Sequence, residues 1–186
     1  MGTLDGQILL WIQENLRNDF LTPIFKFITS LGDVGMIWIA LTILCLFFAK
    51  YRKVGCLSAL ALIGSLLINN VLLKNLVART RPYEVVEGLT RLIEKQSDFS
   101  FPSGHAGASF AAAVIFFIYL PKKFGIPAII LAFLISFSRL YVGVHYVTDV
   151  LAGGLISTAI ATCIWKVDEH IQQKKATKEA EKIEGE

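Results

Sequence analysis

Apolar and polar residues fall along this chain in long blocks rather than in short alternations. Five blocks, residues 34–49, 54–73, 105–120, 126–142 and 147–165, are almost uniformly apolar. Such runs predict helices that cross a bilayer, not helices that turn one face to water. Several fall short of about 20 residues, so their polar flanks are expected at headgroup level. Residues 4–16 read differently. Ile8, Leu9, Trp11, Ile12 and Leu16 alternate with Gln13, Glu14, Asn15 and Arg17, which predicts an amphipathic helix lying in the interface. Residues 20–31 are apolar but short and carry Pro23 and Lys26. They suit either a partial span or a re-entrant piece. After Lys166 the chain is charged, with Lys174, Lys175, Lys178, Glu179, Glu181 and Lys182, as in a solvated helix or a disordered tail. The expected fold class is all-α: a polytopic transmembrane helix bundle of five to six spans with an N-terminal amphipathic helix. Residues 1–33 form its N-terminal segment, 34–166 its transmembrane domain and 167–186 a cytoplasmic tail.

Composition supports the bilayer as solvent. Of 186 residues 54% are hydrophobic, and the mean hydropathy is +0.59. A soluble domain of this size has too little interior to hide that much apolar surface. The net charge of +3 sits in short clusters, which excludes a nucleic-acid face and leaves weak attraction to anionic headgroups. Cys45, Cys56 and Cys163 are scattered without metal or disulfide spacing and read as small hydrophobes. No secretory leader is legible. Met1-Gly2 suggests lipidation, but Gly6 stands where a myristoylation motif needs Ser or Thr. Lys50, Arg52 and Lys53, then Lys122 and Lys123, then Lys166 and the tail fall on one side of the five blocks. That side is expected to be cytoplasmic. Trp38 and Trp165 lie near block ends, where indole is favoured. Gly104, Ala108 and Ala112, and Gly153, Ser157 and Ala161, recur every four residues and would let helices approach closely.

The opposite side carries ionisable residues at the ends of apolar blocks: Lys74, Arg81, His105, Arg139, His145 and Asp149. Charge at that depth is costly and marks function by default. Lys74 and Arg81 are two helical turns apart and would share a face, with Pro82 ending the helix. Phe101-Pro102-Ser103-Gly104-His105 is a tight turn in which Ser103 can cap the next helix, and the N–H groups there form an anion site. His145 and Asp149 are i and i+4; Arg139 joins them only if the chain turns at Gly143. Three cations match a phosphate, and two histidines supply a nucleophile and an acid. Asp149 can hold Nδ1–H of His145 and leave Nε2 free to attack.

Lys74…Arg81-Pro82, Pro102-Ser103-Gly104-His105 and Ser138-Arg139…His145…Asp149 resemble the three-part signature of the type 2 phosphatidic acid phosphatases, which share a phosphate site with vanadium haloperoxidases. Every signature position matches, in order. The resemblance implies a lipid phosphatase. Lys74, Arg81 and Arg139, with Ser103 and the Gly104 N–H, would bind phosphate, and His145 would become a phosphohistidine. Asp149 would orient His145, and His105 would protonate the leaving oxygen and then activate water. It implies no metal and no cofactor, and a lipid phosphate or diphosphate as partner among membrane lipids. The chain resembles small bacterial members, which include undecaprenyl-diphosphate and phosphatidylglycerophosphate phosphatases. The basic loops place the active site on the extracytoplasmic face of the cell membrane, and that side favours undecaprenyl diphosphate, with phosphatidylglycerophosphate or phosphatidic acid as alternatives. Three rivals compete: a serine hydrolase built on Ser103, a non-enzymatic membrane protein keeping the fold, and a vanadate haloperoxidase, against which the apolar spans argue.

Overall fold

The computed structural model describes residues 3–184; Met1 and Gly2, where the lipidation motif would begin, lie outside them. All regular structure among the described residues is helical. Helix α1 is Leu4–Asn15, α2 Leu21–Leu31, α3 Met36–Phe47 and α4 Arg52–Ser65. From α4 a π-helical stretch, Leu66–Leu73, leads into α5, Lys74–Val77, and then α6, Pro82–Val85. Helices α7 (Gly104–Tyr119), α8 (Lys122–Tyr141) and α9 (Val147–Glu184) complete the bundle. The charged tail thus continues α9 as helix.

Among the described residues three stretches are long and apolar enough to cross a membrane: Ala49–Val85, Lys122–Tyr141 and Val147–Glu181. A fourth arises if Leu21–Leu31 and Asp33–Phe47, bent by 49°, count as one span. Fewer stretches meet the length test than the five to six expected. Block 34–49 needs α2 to reach full length, and α7 has 16 residues. The bend between α2 and α3 fits both the partial span and the re-entrant piece expected of residues 20–31. Phe25 of α2 stacks on Tyr141 at 4.4 Å and meets Phe137 edge-on at 5.5 Å.

Helix α7 runs through the middle, against α4, α8 and α9. Its Ala106, Ala111, Ala112 and Ala113 have no exposed surface, and neither do Ser157 and Ala161 of α9. These small side chains let the backbones approach. Several polar residues inside the bundle pair with one another, although Ser136 Oγ and Asn69 Oδ1 are buried without a partner. Asn69 Nδ2 donates to Ser157 Oγ at 2.8 Å and to Ser65 Oγ at 3.1 Å. Trp38 is no interfacial anchor: it is fully buried, its Nε1–H donating to Ser109 Oγ at 2.9 Å. The block-end position misled because α7 covers that end of α3. Large apolar side chains point outward instead, among them Leu60, Ile63, Leu67, Val71, Phe133 and Leu155.

The two ends of the bundle differ. At one, Lys53 Nζ and Tyr119 OH both lie 2.7 Å from Asp168 Oδ2, tying α4, α7 and α9 together where the basic loops gather. At the other, α1 packs Leu9 and Ile12 onto a buried cluster with Leu140, Tyr141, Val142 and Val144. Helix α1 therefore buries its apolar face largely in protein, with Trp11 left exposed.

Candidate active site

The second end gathers the ionisable residues. Lys74 is buried at the close of the π-helical stretch. The helix does not continue to Arg81 as the spacing suggested. It stops at Val77, because Ala78 takes the left-handed conformation, φ 47°. Residues 78–81 are extended or irregular, and Pro82 opens α6 at its first position, where a missing N–H costs nothing. Lys74 and Arg81 meet on a partner instead of a shared face. Asp98 Oδ1 accepts from Arg81 Nη2 at 2.5 Å, and Asp98 Oδ2 pairs with Lys74 Nζ. Burial alone would raise the Asp98 carboxyl; the two cations override it and hold it at about 2. An anionic group of this chain thus lies across the two cations.

Gly143, at φ 77°, supplies the turn between α8 and α9. That turn sets Arg139, on the last turn of α8, beside His145, just ahead of α9. Arg139 Nη1 donates to Thr29 Oγ1 at 2.6 Å and Nη2 to Gln96 Oε1 at 3.4 Å. Its Nε is buried without a partner, a donor left for something else.

His145 is enclosed. Nδ1 faces Asp149 Oδ2 at 3.4 Å, and Nε2 lies 3.3 Å from Arg81 Nη1. A guanidinium can only donate, so Nε2 accepts and the ring proton sits on Nδ1, toward the carboxylate. Burial pushes the imidazole well below its ordinary pKa, Asp149 opposing and Arg81 and Arg139 reinforcing the fall. The neutral ring keeps a lone pair on Nε2. Asp149 is itself fully satisfied: Oδ2 also accepts from Ser100 Oγ at 2.5 Å and Tyr146 N at 2.9 Å, and Oδ1 from Arg79 Nη1 at 2.6 Å.

Ser103 caps α7, its Oγ accepting from Ala106 N at 3.4 Å. The preceding N–H groups have no earlier turn to bond. No histidine is hydrogen-bonded to Ser103 among the described residues, which weakens a serine hydrolase. His105 Nε2 lies 3.0 Å from Asp33 Oδ1.

A cavity of about 770 Å³ joins these parts. Lys74, Arg81, Gly104, His105, Arg139 and His145 line one end; Ile39, Ile43, Leu46, Leu62, Ile63 and Leu66 of α3, α4 and the stretch after it line the rest. Ser103 and Asp149 stand behind that wall. No cluster of three or more His, Cys, Asp or Glu suited to a metal exists among the described residues. Arg79, Ser100, Asp98 and Asp33 join the site without being marked by sequence spacing. Arg79 alone had a signal, as a further cation between Lys74 and Arg81.

This site on this bundle defines a class. A PAP2 superfamily profile matches residues 54–172. The chain belongs to that superfamily. It is 38% identical over 125 residues to an undecaprenyl-diphosphatase of Sulfolobus acidocaldarius, covering 67% of this chain and 60% of that protein's length. A transmembrane PAP2 type phosphatidylglycerolphosphate phosphatase from Bacillus subtilis superposes with a TM-score of 0.72 at 30% identity, over 90% of this chain and 85% of that one. LpxE of Aquifex aeolicus gives a TM-score of 0.78 at 25% identity, over 89% and 96%.

Proposed function

We propose that this chain is an integral membrane lipid phosphatase working through a phosphohistidine on His145. The observation that carries this is the single cavity in which three cations and two histidines face a long apolar wall. A phosphate fits the first part and a lipid tail the second. Undecaprenyl diphosphate is the favoured substrate, after the Sulfolobus relative; phosphatidylglycerophosphate is the alternative, after the Bacillus structure. An apolar groove takes either tail.

In the proposed reaction Lys74, Arg81, Arg139 and the N–H groups at the start of α7 hold the phosphate oxygens. His145 Nε2 bonds to phosphorus as the bond to the leaving oxygen breaks, and Asp149 stabilises the Nδ1–H of the charged ring. His105 gives the leaving oxygen a proton. It then takes one from a water whose oxygen attacks the phosphohistidine, returning the electron pair to Nε2. Fixed cations supply the positive charge that phosphoryl transfer requires, so activity is expected without a metal. Phosphate release by purified protein from undecaprenyl diphosphate, phosphatidylglycerophosphate and phosphatidic acid tests this. Undecaprenyl diphosphate should react fastest, turnover should survive EDTA and vanadate should inhibit. A strict need for added magnesium contradicts the mechanism.

Five crossings are proposed: the bent α2–α3 pair, the span containing α4, α7, α8 and the first part of α9. The basic loops then lie in the cytoplasm and the site opens on the outer face. In a background lacking Cys45, Cys56 and Cys163, Ser97→Cys should react with an impermeant maleimide in intact cells, and Ala176→Cys only after permeabilisation. The reverse pattern puts the site in the cytoplasm.

A further inference from the structure

The turn joining α2 to α3 contains a backbone outlier. Val34 adopts φ 54°, ψ 14° and Gly35 φ 72°. A β-branched residue in that region is strained. The Val34 side chain is 93% exposed, so its own packing does not offset the strain. Conformations of this kind persist where the surroundings over-determine them. One residue earlier the turn places Asp33 Oδ1 3.0 Å from His105 Nε2. Gly32 permits the approach: a Cβ there would lie 2.7 Å from His105 Cδ2 and 2.8 Å from Ile135 Cγ2. Asp33 and His105 both line the cavity that holds Lys74, Arg81 and Arg139.

The contact fixes which ring nitrogen does the work. A carboxylate only accepts, so His105 Nε2 carries hydrogen toward Asp33. Nδ1 has no hydrogen-bond partner among the described residues and is left for a ligand. His145 is turned the other way, Nδ1 to its acid and Nε2 to the phosphate side. Charge argues in the same direction. A doubly protonated ring near three cations is repelled by all of them, and an adjacent carboxylate offsets that repulsion.

We propose that Asp33 is the positioning residue for His105, making a second histidine–carboxylate pair in which His105 Nδ1 exchanges the proton. This rests on the role given to His105 above. In the first step the Nε2–P bond to His145 forms, the P–O bond to the lipid breaks, and the Nδ1 proton of His105 goes to that oxygen. In the second, water oxygen bonds to phosphorus, its proton goes to Nδ1, and the N–P bond breaks. Asp33 keeps its hydrogen bond to Nε2–H throughout and is not consumed.

The test compares Asp33→Asn, Asp33→Glu and His105→Ala in the full chain. Two substrates are used: phosphatidic acid, whose alkoxide must be protonated, and an activated aryl phosphate, whose leaving group need not be. Asp33→Asn should lower kcat on phosphatidic acid by about 10- to 100-fold, the range found when the hydrogen-bonded partner of a metal-ligating histidine is lost. KM should stay within about twofold and the aryl phosphate rate within about threefold. Asp33→Glu should restore part of the loss. Equal losses on both substrates, or none on either, overturn the inference. If His105→Ala lacks the leaving-group contrast, the role of His105 is what fails. If His105→Ala shows it and Asp33→Asn does not, the role of Asp33 alone fails.

Discussion

Replacing His145 with alanine should lower turnover by about 10⁴- to 10⁶-fold, the scale seen when a nucleophile is removed. Nothing else in the cavity can take over its part. His105 sits on α7 with Nε2 engaged by Asp33, and Ser103 Oγ is occupied as a helix cap. The fold should tolerate the change, because Asp149 keeps Ser100, Tyr146 N and Arg79 as donors. The variant should therefore purify as the wild type does. Rapid quenching of wild type with labelled substrate should trap phosphate that is labile to acid and stable to base; the variant should trap none. Normal turnover in the variant would remove His145 from the chemistry.

Gly153→Ala should be the most damaging single methyl in the bundle. A Cβ at Gly153 would overlap the Ser103 carbonyl oxygen, with Ser103 C and N both at 3.3 Å. The obstacle is backbone, so no side-chain rotation relieves it. Ser103 N also donates to Asp149 O at 3.0 Å, which pins the two segments together. Overpacking of this kind costs about 1–3 kcal/mol. It should push the phosphate turn out of place, and a displacement near 1 Å can cost about 10²-fold in rate. Gly64→Ala is the control. Its Cβ would meet only the Ile160 Cγ2 methyl, at 3.0 Å, which can shift. Thermal unfolding and kcat should both separate the two variants. Equal behaviour would mean that α9 and the turn are not in rigid contact.

How far the sequence went follows from distance along the chain. His145 and Asp149 do meet, though not on one helix as their spacing suggested: His145 precedes α9 and Asp149 reaches back to it from the first turn, while Ser103 caps the helix next to it as its position predicted. The apolar helices were legible because the apolar blocks are nearly uniform, while their number as full spans was not, since several are too short to cross alone. The course of residues 20–31 was not, since a short apolar run with a proline fits either reading and the 49° bend that follows it fits both as well. Lys74 and Arg81 were brought together for the wrong reason: no local rule places a left-handed alanine at Ala78. Arg79 reaches Asp149, Ser100 reaches the same carboxylate and Asp33 reaches His105 across 49 to 72 positions. Pairings of that range have no periodicity to betray them.

Arg79 stacks on the Tyr146 ring at 3.7 Å and bridges Asp149 to Asp5 of α1. Asp5 in turn accepts from Thr148 Oγ1 at 2.5 Å. The N-terminal helix carries no signature residue, yet its one buried-end carboxylate shares a guanidinium with the site's innermost acid. The helix is thereby tied, one guanidinium removed, to the carboxylate that faces His145. Asp5, Arg79 and Thr148 form one connected set, so removing the Asp5 carboxylate would leave Arg79 with Asp149 as its carboxylate partner and Thr148 Oγ1 without its acceptor.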